Sequence, residues 1–80
     1  MRANAYVLIN IHPGQGKQVY ERLTAIEEIT RIDFISGPFD IIIFLTAPDF
    51  SSIGQIVMNK IQSIPGVERT LTCPVFSFEP

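Results

Sequence analysis

Asp40 is the ionisable residue whose position asks most of its surroundings. It closes the stretch Gly37-Pro38-Phe39-Asp40 and stands directly before five apolar residues, Ile41-Ile42-Ile43-Phe44-Leu45. Gly and Pro favour a tight turn on backbone grounds, which accounts for Gly37 and Pro38 but does not call for Asp40. A carboxylate at the mouth of a wholly apolar strand is costly unless something pairs with it. This turn is therefore the first place to look for a ligand. Glu68-Arg69-Thr70-Leu71-Thr72 is the second such place. Its alternation reads as an edge strand with threonine serving β-propensity, or as a strand whose Thr70 and Thr72 hydroxyls face a small polar ligand.

The remaining reactive residues are sparse. His12 is the single histidine, and imidazole could act as a general base or haem ligand near neutral pH. No carboxylate or nucleophile is placed to work with it, so an exposed residue at a strand end is expected. Cys73 is the single cysteine, which excludes an internal disulfide and a Cys-x-x-Cys site; a small, at least half-buried hydrophobe is expected there. One His and one Cys on different strands match no metal-ligand spacing. Pro13-Gly14-Gln15-Gly16-Lys17 lacks the Gly-Lys-Ser/Thr ending of a phosphate loop. No catalytic residue, metal ligand or cofactor is assigned.

The elements that position these residues follow from hydrophobic periodicity. Asn4 to His12 alternates, with Ala5, Val7, Ile9 and Ile11 on one face and Tyr6, Leu8 and Asn10 on the other. Pro13-Gly14-Gln15-Gly16 opens a helix in which Val19, Leu23 and Ile26 share a face. Ile29 to Ser36 alternates again, the Gly37–Asp40 turn follows, and the apolar strand ends near Ala47-Pro48. Asp49 is placed to cap a second helix, with Ile53, Ile56, Val57, Ile61 and Ile64 on its inner face and Ile64-Pro65-Gly66 ending it. Val67 to Phe78 is the last strand, interrupted by Pro74. The sum is α+β: a ferredoxin-like βαββαβ sandwich with both helices on one face of a four-stranded antiparallel sheet, in the order 4-1-3-2. Ile29-Thr30-Arg31-Ile32 and Val67-Glu68-Arg69-Thr70 echo each other where each strand follows a helix, which reads as shared architecture.

The apolar run has side chains on both faces of its strand, whereas a sheet with one wet face alternates. An 80-residue chain with 46% apolar and 18% charged residues, against roughly 25% charged in ordinary soluble domains, has little with which to cover both faces. A partner on the helix-free face is expected, most simply a second copy. No apolar run nears the roughly 20 residues that span a bilayer, and no signal-peptide layout is found, which suits the cytoplasm. A net charge of −2, with six Lys and Arg scattered along the chain, argues against direct nucleic-acid binding.

In order and spacing, several stretches resemble one family. They are Ala5-Tyr6-Val7-Leu8-Ile9, the Pro13-Gly14 helix start, Ser36-Gly37-Pro38-Phe39-Asp40, Pro65-Gly66-Val67-Glu68-Arg69-Thr70, and Thr72. Together they resemble the amino-acid-sensing (RAM) domain of the Lrp/AsnC, or feast/famine, transcription regulators, over nearly the whole chain. The resemblance implies a dimeric α/β barrel made by two sheets, with dimers joining into a ring such as an octamer. It further implies a free amino acid bound between neighbouring dimers. Asp40 would contact the ammonium, Gly37 and Phe39 would shape the turn and pocket, and Thr70 and Thr72 would supply hydroxyls. Full-length members carry a helix-turn-helix domain for which these 80 residues have no room. The expectation is a single sensing domain over 1–80 that co-assembles with full-length regulators. Two alternatives share the architecture: a cofactor-free monooxygenase-like enzyme of the dimeric α/β-barrel group, and an ACT-like regulatory domain. Fold alone does not separate them.

Overall fold

The computed structural model describes residues 2–76. They form β1 (Ala3–Ile11), α1 (Gly16–Thr24), β2 (Ile29–Phe34), β3 (Ile41–Ala47), α2 (Phe50–Ile56), a π-helical turn over Val57–Ile61, and β4 (Val67–Pro74). The strands pair antiparallel in the order β2-β3-β1-β4. This is the expected 4-1-3-2 order, with the two most apolar strands in the middle. The β1–β3 register sets Ala5 opposite Leu45, Val7 opposite Ile43 and Ile9 opposite Ile41. All six are buried to 1% exposure or less, because α1 and α2 cover this face with Val19, Leu23, Ile53 and Ile56.

Asp49 caps α2 as expected, its carboxylate accepting from the Ser52 N–H at 2.7 Å. After Ile56 the helix widens by one residue, the Gln62 N–H donating to the Val57 carbonyl at 2.8 Å. Val57, Ile61 and Ile64 nevertheless stay buried. Helix α1 ends at Thr24, so Ile26, expected on its inner face, lies in the following turn and packs against the core from there. β2 stops at Phe34 rather than Ser36, and the Ile35 N–H then turns to the Asp40 carbonyl at 2.9 Å. β4 ends at Pro74, opposite Ala5 and on an edge strand, where a missing N–H is tolerated. The expected continuation through Ser77 and Phe78 lies outside the described residues.

The echoed segments turn out to be matching irregularities. Between Ile29 and Ile32, three steps on β2 face the two steps from Leu45 to Ile43 on β3. Between Val67 and Arg69, two steps on β4 face the single step from Ile11 to Asn10 on β1. Each is a β-bulge, an extra residue that lets the strand re-aim its side chains. The bulges let Ile29 and Val67 reach the core although strict alternation with Ile32 and Thr70 would turn them away.

Among the described residues no helix covers the other sheet face. Register brings Tyr6 beside Phe44 and Cys73, and Leu8 beside Ile42 and Leu71. The Tyr6 and Phe44 rings meet edge to face with centroids 4.9 Å apart. Tyr6 is 44% exposed and Leu8, Ile42 and Phe44 are half-buried on this face, so the central strands are apolar on both sides, and Leu71 of the edge strand, 48% exposed, extends the patch.

Candidate functional site

The turn between β2 and β3 folds back on the end of β1. Gly37 has φ +153°, a conformation that glycine adopts freely and L side chains rarely do. From there Asp40 makes three bonds that fix the corner. Its N–H donates to the Ile9 carbonyl at 2.9 Å, and its carbonyl accepts from Ile35. Its Oδ2 accepts from the Ile11 N–H, also at 2.9 Å. The carboxylate thus serves a β1 donor at a height where β3 has already bent into the turn. This answers the question the sequence posed: Asp40 is tolerated beside the apolar strand because a main-chain N–H pairs with it.

Asn10 joins the corner to β4. Its Nδ2 donates to the Pro38 carbonyl at 2.9 Å and reaches Asp40 Oδ2 at 3.4 Å. Its Oδ1 accepts from Arg69 Nη2 and Nε at 3.0 and 3.2 Å. Only one amide orientation satisfies this set. A flip would aim the oxygen at a carboxylate and a carbonyl, and the NH₂ at a guanidinium. The Arg69 guanidinium also lies over the Phe39 ring, 5.1 Å from its centroid, within cation–π range. Beside it is a shallow hollow of about 570 Å³ lined by Asn10, Glu68 and Arg69.

The expected site residues are therefore only partly brought together. Gly37, Phe39 and Asp40 share the corner. Thr70 and Thr72 do not reach it within one chain. They pair with Ile9 and Val7 and so point to the helix-covered face, where Gln62 Nε2 donates to the Thr70 hydroxyl at 2.9 Å. Arg69, between the bulge and Thr70, points to the opposite face with Asn10. Sequence reasoning passed over both Asn10 and Arg69. An extra residue at Glu68 decides which face Arg69 takes, and periodicity alone does not mark it.

The other candidates have plainer roles. His12 is exposed, and its main-chain N–H donates to the Gly66 carbonyl at 2.8 Å. Cys73 is half-buried on the open face. Among the described residues no group of three His, Cys, Asp or Glu is placed to hold a metal ion, and no helix is long and apolar enough to cross a membrane. Hydrogen bonds from Lys60 at 3.1 and 3.2 Å hold the Glu28 carboxyl below its usual range. The Ser52 N–H does the same for Asp49. Both carboxylates lie away from the corner: Glu28 ties the segment before β2 to the π-helical turn, and Asp49 caps its own helix.

A four-stranded antiparallel sheet with both helices on one face, in βαββαβ order, places the chain in the ferredoxin-like class of α+β domains. Within that class the sequence profile of the Lrp/AsnC ligand binding domain matches residues 4–78, and the chain belongs to this family. An uncharacterized HTH-type transcriptional regulator of Pyrococcus furiosus is 32% identical over 75 residues, which cover 90% of this chain and 50% of that protein. The chain thus spans about half the length of the curated relatives it matches. Among solved structures, Escherichia coli AsnC superposes with a TM-score of 0.90 at 19% identity, over 95% of this chain and 52% of AsnC. A Neisseria meningitidis transcriptional regulator in complex with L-Met superposes with a TM-score of 0.88 at 14% identity, over 94% of this chain and 50% of that one.

Proposed function

We propose that this domain binds a free amino acid at the Gly37–Asp40 corner, and in doing so modulates Lrp/AsnC-type transcription regulation as an oligomer without contacting DNA itself. The observation that carries the reading is the corner: a carboxylate held in place by main-chain bonds at a turn, in a domain whose family is defined by ligand binding. Asp40 meets the ammonium, and Gly37 and Phe39 set the shape of the turn. Thr70 and Thr72 face the other way on their own chain, so their hydroxyls join the site from a neighbouring copy. The L-Met complex of the Neisseria meningitidis regulator supports this class of ligand.

Assembly follows from the open sheet face. Tyr6, Leu8, Ile42, Phe44 and Leu71 form one contiguous apolar patch by register. Sheet-on-sheet pairing of two copies covers it, and dimers join into a ring such as an octamer. Full-length regulators of the family offer the same interface, and co-assembly with them carries the signal to DNA in the cytoplasm.

A thermal-shift screen of the twenty amino acids, run beside light scattering, tests the reading. Ligand at a hundred times its Kd stabilises the folded form by about 2.7 kcal/mol. For a domain of this size that is a rise of roughly 10–20 °C in melting temperature. The expected result is a dimer or larger species that responds to one or a few amino acids. A monomer that responds to none overturns it.

A further inference from the structure

We infer that Arg69 anchors the ligand's carboxylate, so that Arg69 and Asp40, held together through Asn10, form a two-ended clamp for a zwitterion. The inference rests on the amino-acid reading above and changes its chemistry: the partner of the carboxylate is a guanidinium on Asp40's own face of the sheet, and the Thr70 and Thr72 hydroxyls of a neighbouring copy do no more than line a wall.

Geometry carries it. An α-amino acid presents a cation and an anion on one carbon, so a selective site needs an acceptor and a donor set close together on one surface. Asp40 supplies the acceptor. Its Oδ2 is engaged by Ile11, and the described residues leave its Oδ1 without a donor. Asn10 grips both ends, Asp40 and Pro38 through its Nδ2 and Arg69 through its Oδ1. Guanidinium has five N–H donors in a fixed fork. Nε and Nη2 each spend one on Asn10, and among the described residues the edge bearing Nη1 has no acceptor. That edge matches two carboxylate oxygens. The two bonds to Asn10 and the Phe39 ring 5.1 Å away restrain the fork, so part of the arginine's freedom is already spent before binding. The bulge at Glu68 is what turns Arg69 to this face. The hollow that Arg69 lines with Asn10 and Glu68 gives a small ligand room beside it.

The test compares ligand groups against protein groups in the whole chain. Each of the twenty amino acids is titrated as the free acid, and every responder is titrated again as its α-carboxamide, with melting temperature and calorimetric Kd as readouts. Wild type is expected to favour the acid by at least about tenfold. Arg69→Met keeps an apolar stem against Phe39 and is expected to weaken the acid by about tenfold to a hundredfold, the range for a charge-assisted hydrogen bond. Its affinity for the carboxamide stays put, so the preference collapses. Arg69→Lys keeps the charge without the fork and is expected to lose most of the preference too. Wild-type discrimination surviving in either variant overturns the clamp and leaves the amino-acid reading standing. No response of wild type to any of the twenty free acids overturns both.

Discussion

Replacing Asp40 separates what the corner does for the fold from what it does for a ligand. Asp40→Ala leaves the backbone bonds to Ile9 and Ile35 possible but removes the oxygen that accepts from the Ile11 N–H at 2.9 Å and from Asn10 at 3.4 Å. A part-buried main-chain donor left without a partner costs about 1–3 kcal/mol. For a domain of this size each kcal/mol moves the melting temperature by roughly 4–8 °C. Asp40→Ala should therefore melt about 5–20 °C below wild type by circular dichroism. Asp40→Asn keeps an acceptor for Ile11 and should lose only about 1 kcal/mol, the ordinary worth of a hydrogen bond. It has no charge to offer an ammonium group, so its melting temperature should no longer rise with any amino acid that shifts wild type. An Asp40→Ala protein that melts within about 2 °C of wild type would refute the structural half of this argument, since a marginal 80-residue domain does not conceal such a loss. An Asp40→Asn protein with an undiminished amino-acid response would refute the other half.

Three further outcomes are expected. A Cβ on Gly66, which has φ +104°, would stand 2.8 Å from Gln15 Cβ and 3.0 Å from Val19 Cγ2. Gly66→Ala should lose about 2–4 kcal/mol from backbone strain and overlap, whereas Gly54→Ala, in open space on α2, should gain about 0.5–1 kcal/mol; urea melts of the two must move in opposite directions. Leu8→Glu places a charge among Ile42 and Leu71 on the open face and should convert a dimer to a folded monomer in light scattering, and a persisting dimer would exclude that face as the interface. Glu28 and Asp49 have lowered folded-state pKa values, Glu28 through Lys60 and Asp49 through the Ser52 N–H. The stability they add is present above the unfolded values, about 4.3 for Glu and 3.9 for Asp, and is lost as pH falls through the lower folded ones. Glu28→Gln should flatten part of the acid decline in melting temperature, and an unchanged slope would contradict the pairing with Lys60.

What was legible in the sequence is local. The Ala5-Val7-Ile9 alternation, the Asp49 cap and the apolar run Ile41–Leu45 each depend on neighbours in the chain, and the structure places all three as read. Errors fall where an element ends. Ser36 leaves β2 because the chain must bend to bring Asp40 back to β1, and Ile26 leaves α1 because the helix closes at Thr24. Neither outcome is encoded by periodicity, which continues past both points.

The corner was half legible for a different reason. Asp40 stands out because a carboxylate beside an apolar strand is a local contradiction, and a contradiction is visible without knowing the partner. Arg69 and Asn10 contradict nothing around them. Fifty-nine residues separate them in the chain, and only the sheet order β3-β1-β4 brings both to Asp40. Even with the order known, strict alternation from Val67 would have turned Arg69 toward the helices and Thr70 outward to the open face. The extra residue at Glu68 reverses both assignments at once. One bulge thus decides which side chains share the corner with Asp40, and alternation read from the sequence alone does not reveal it.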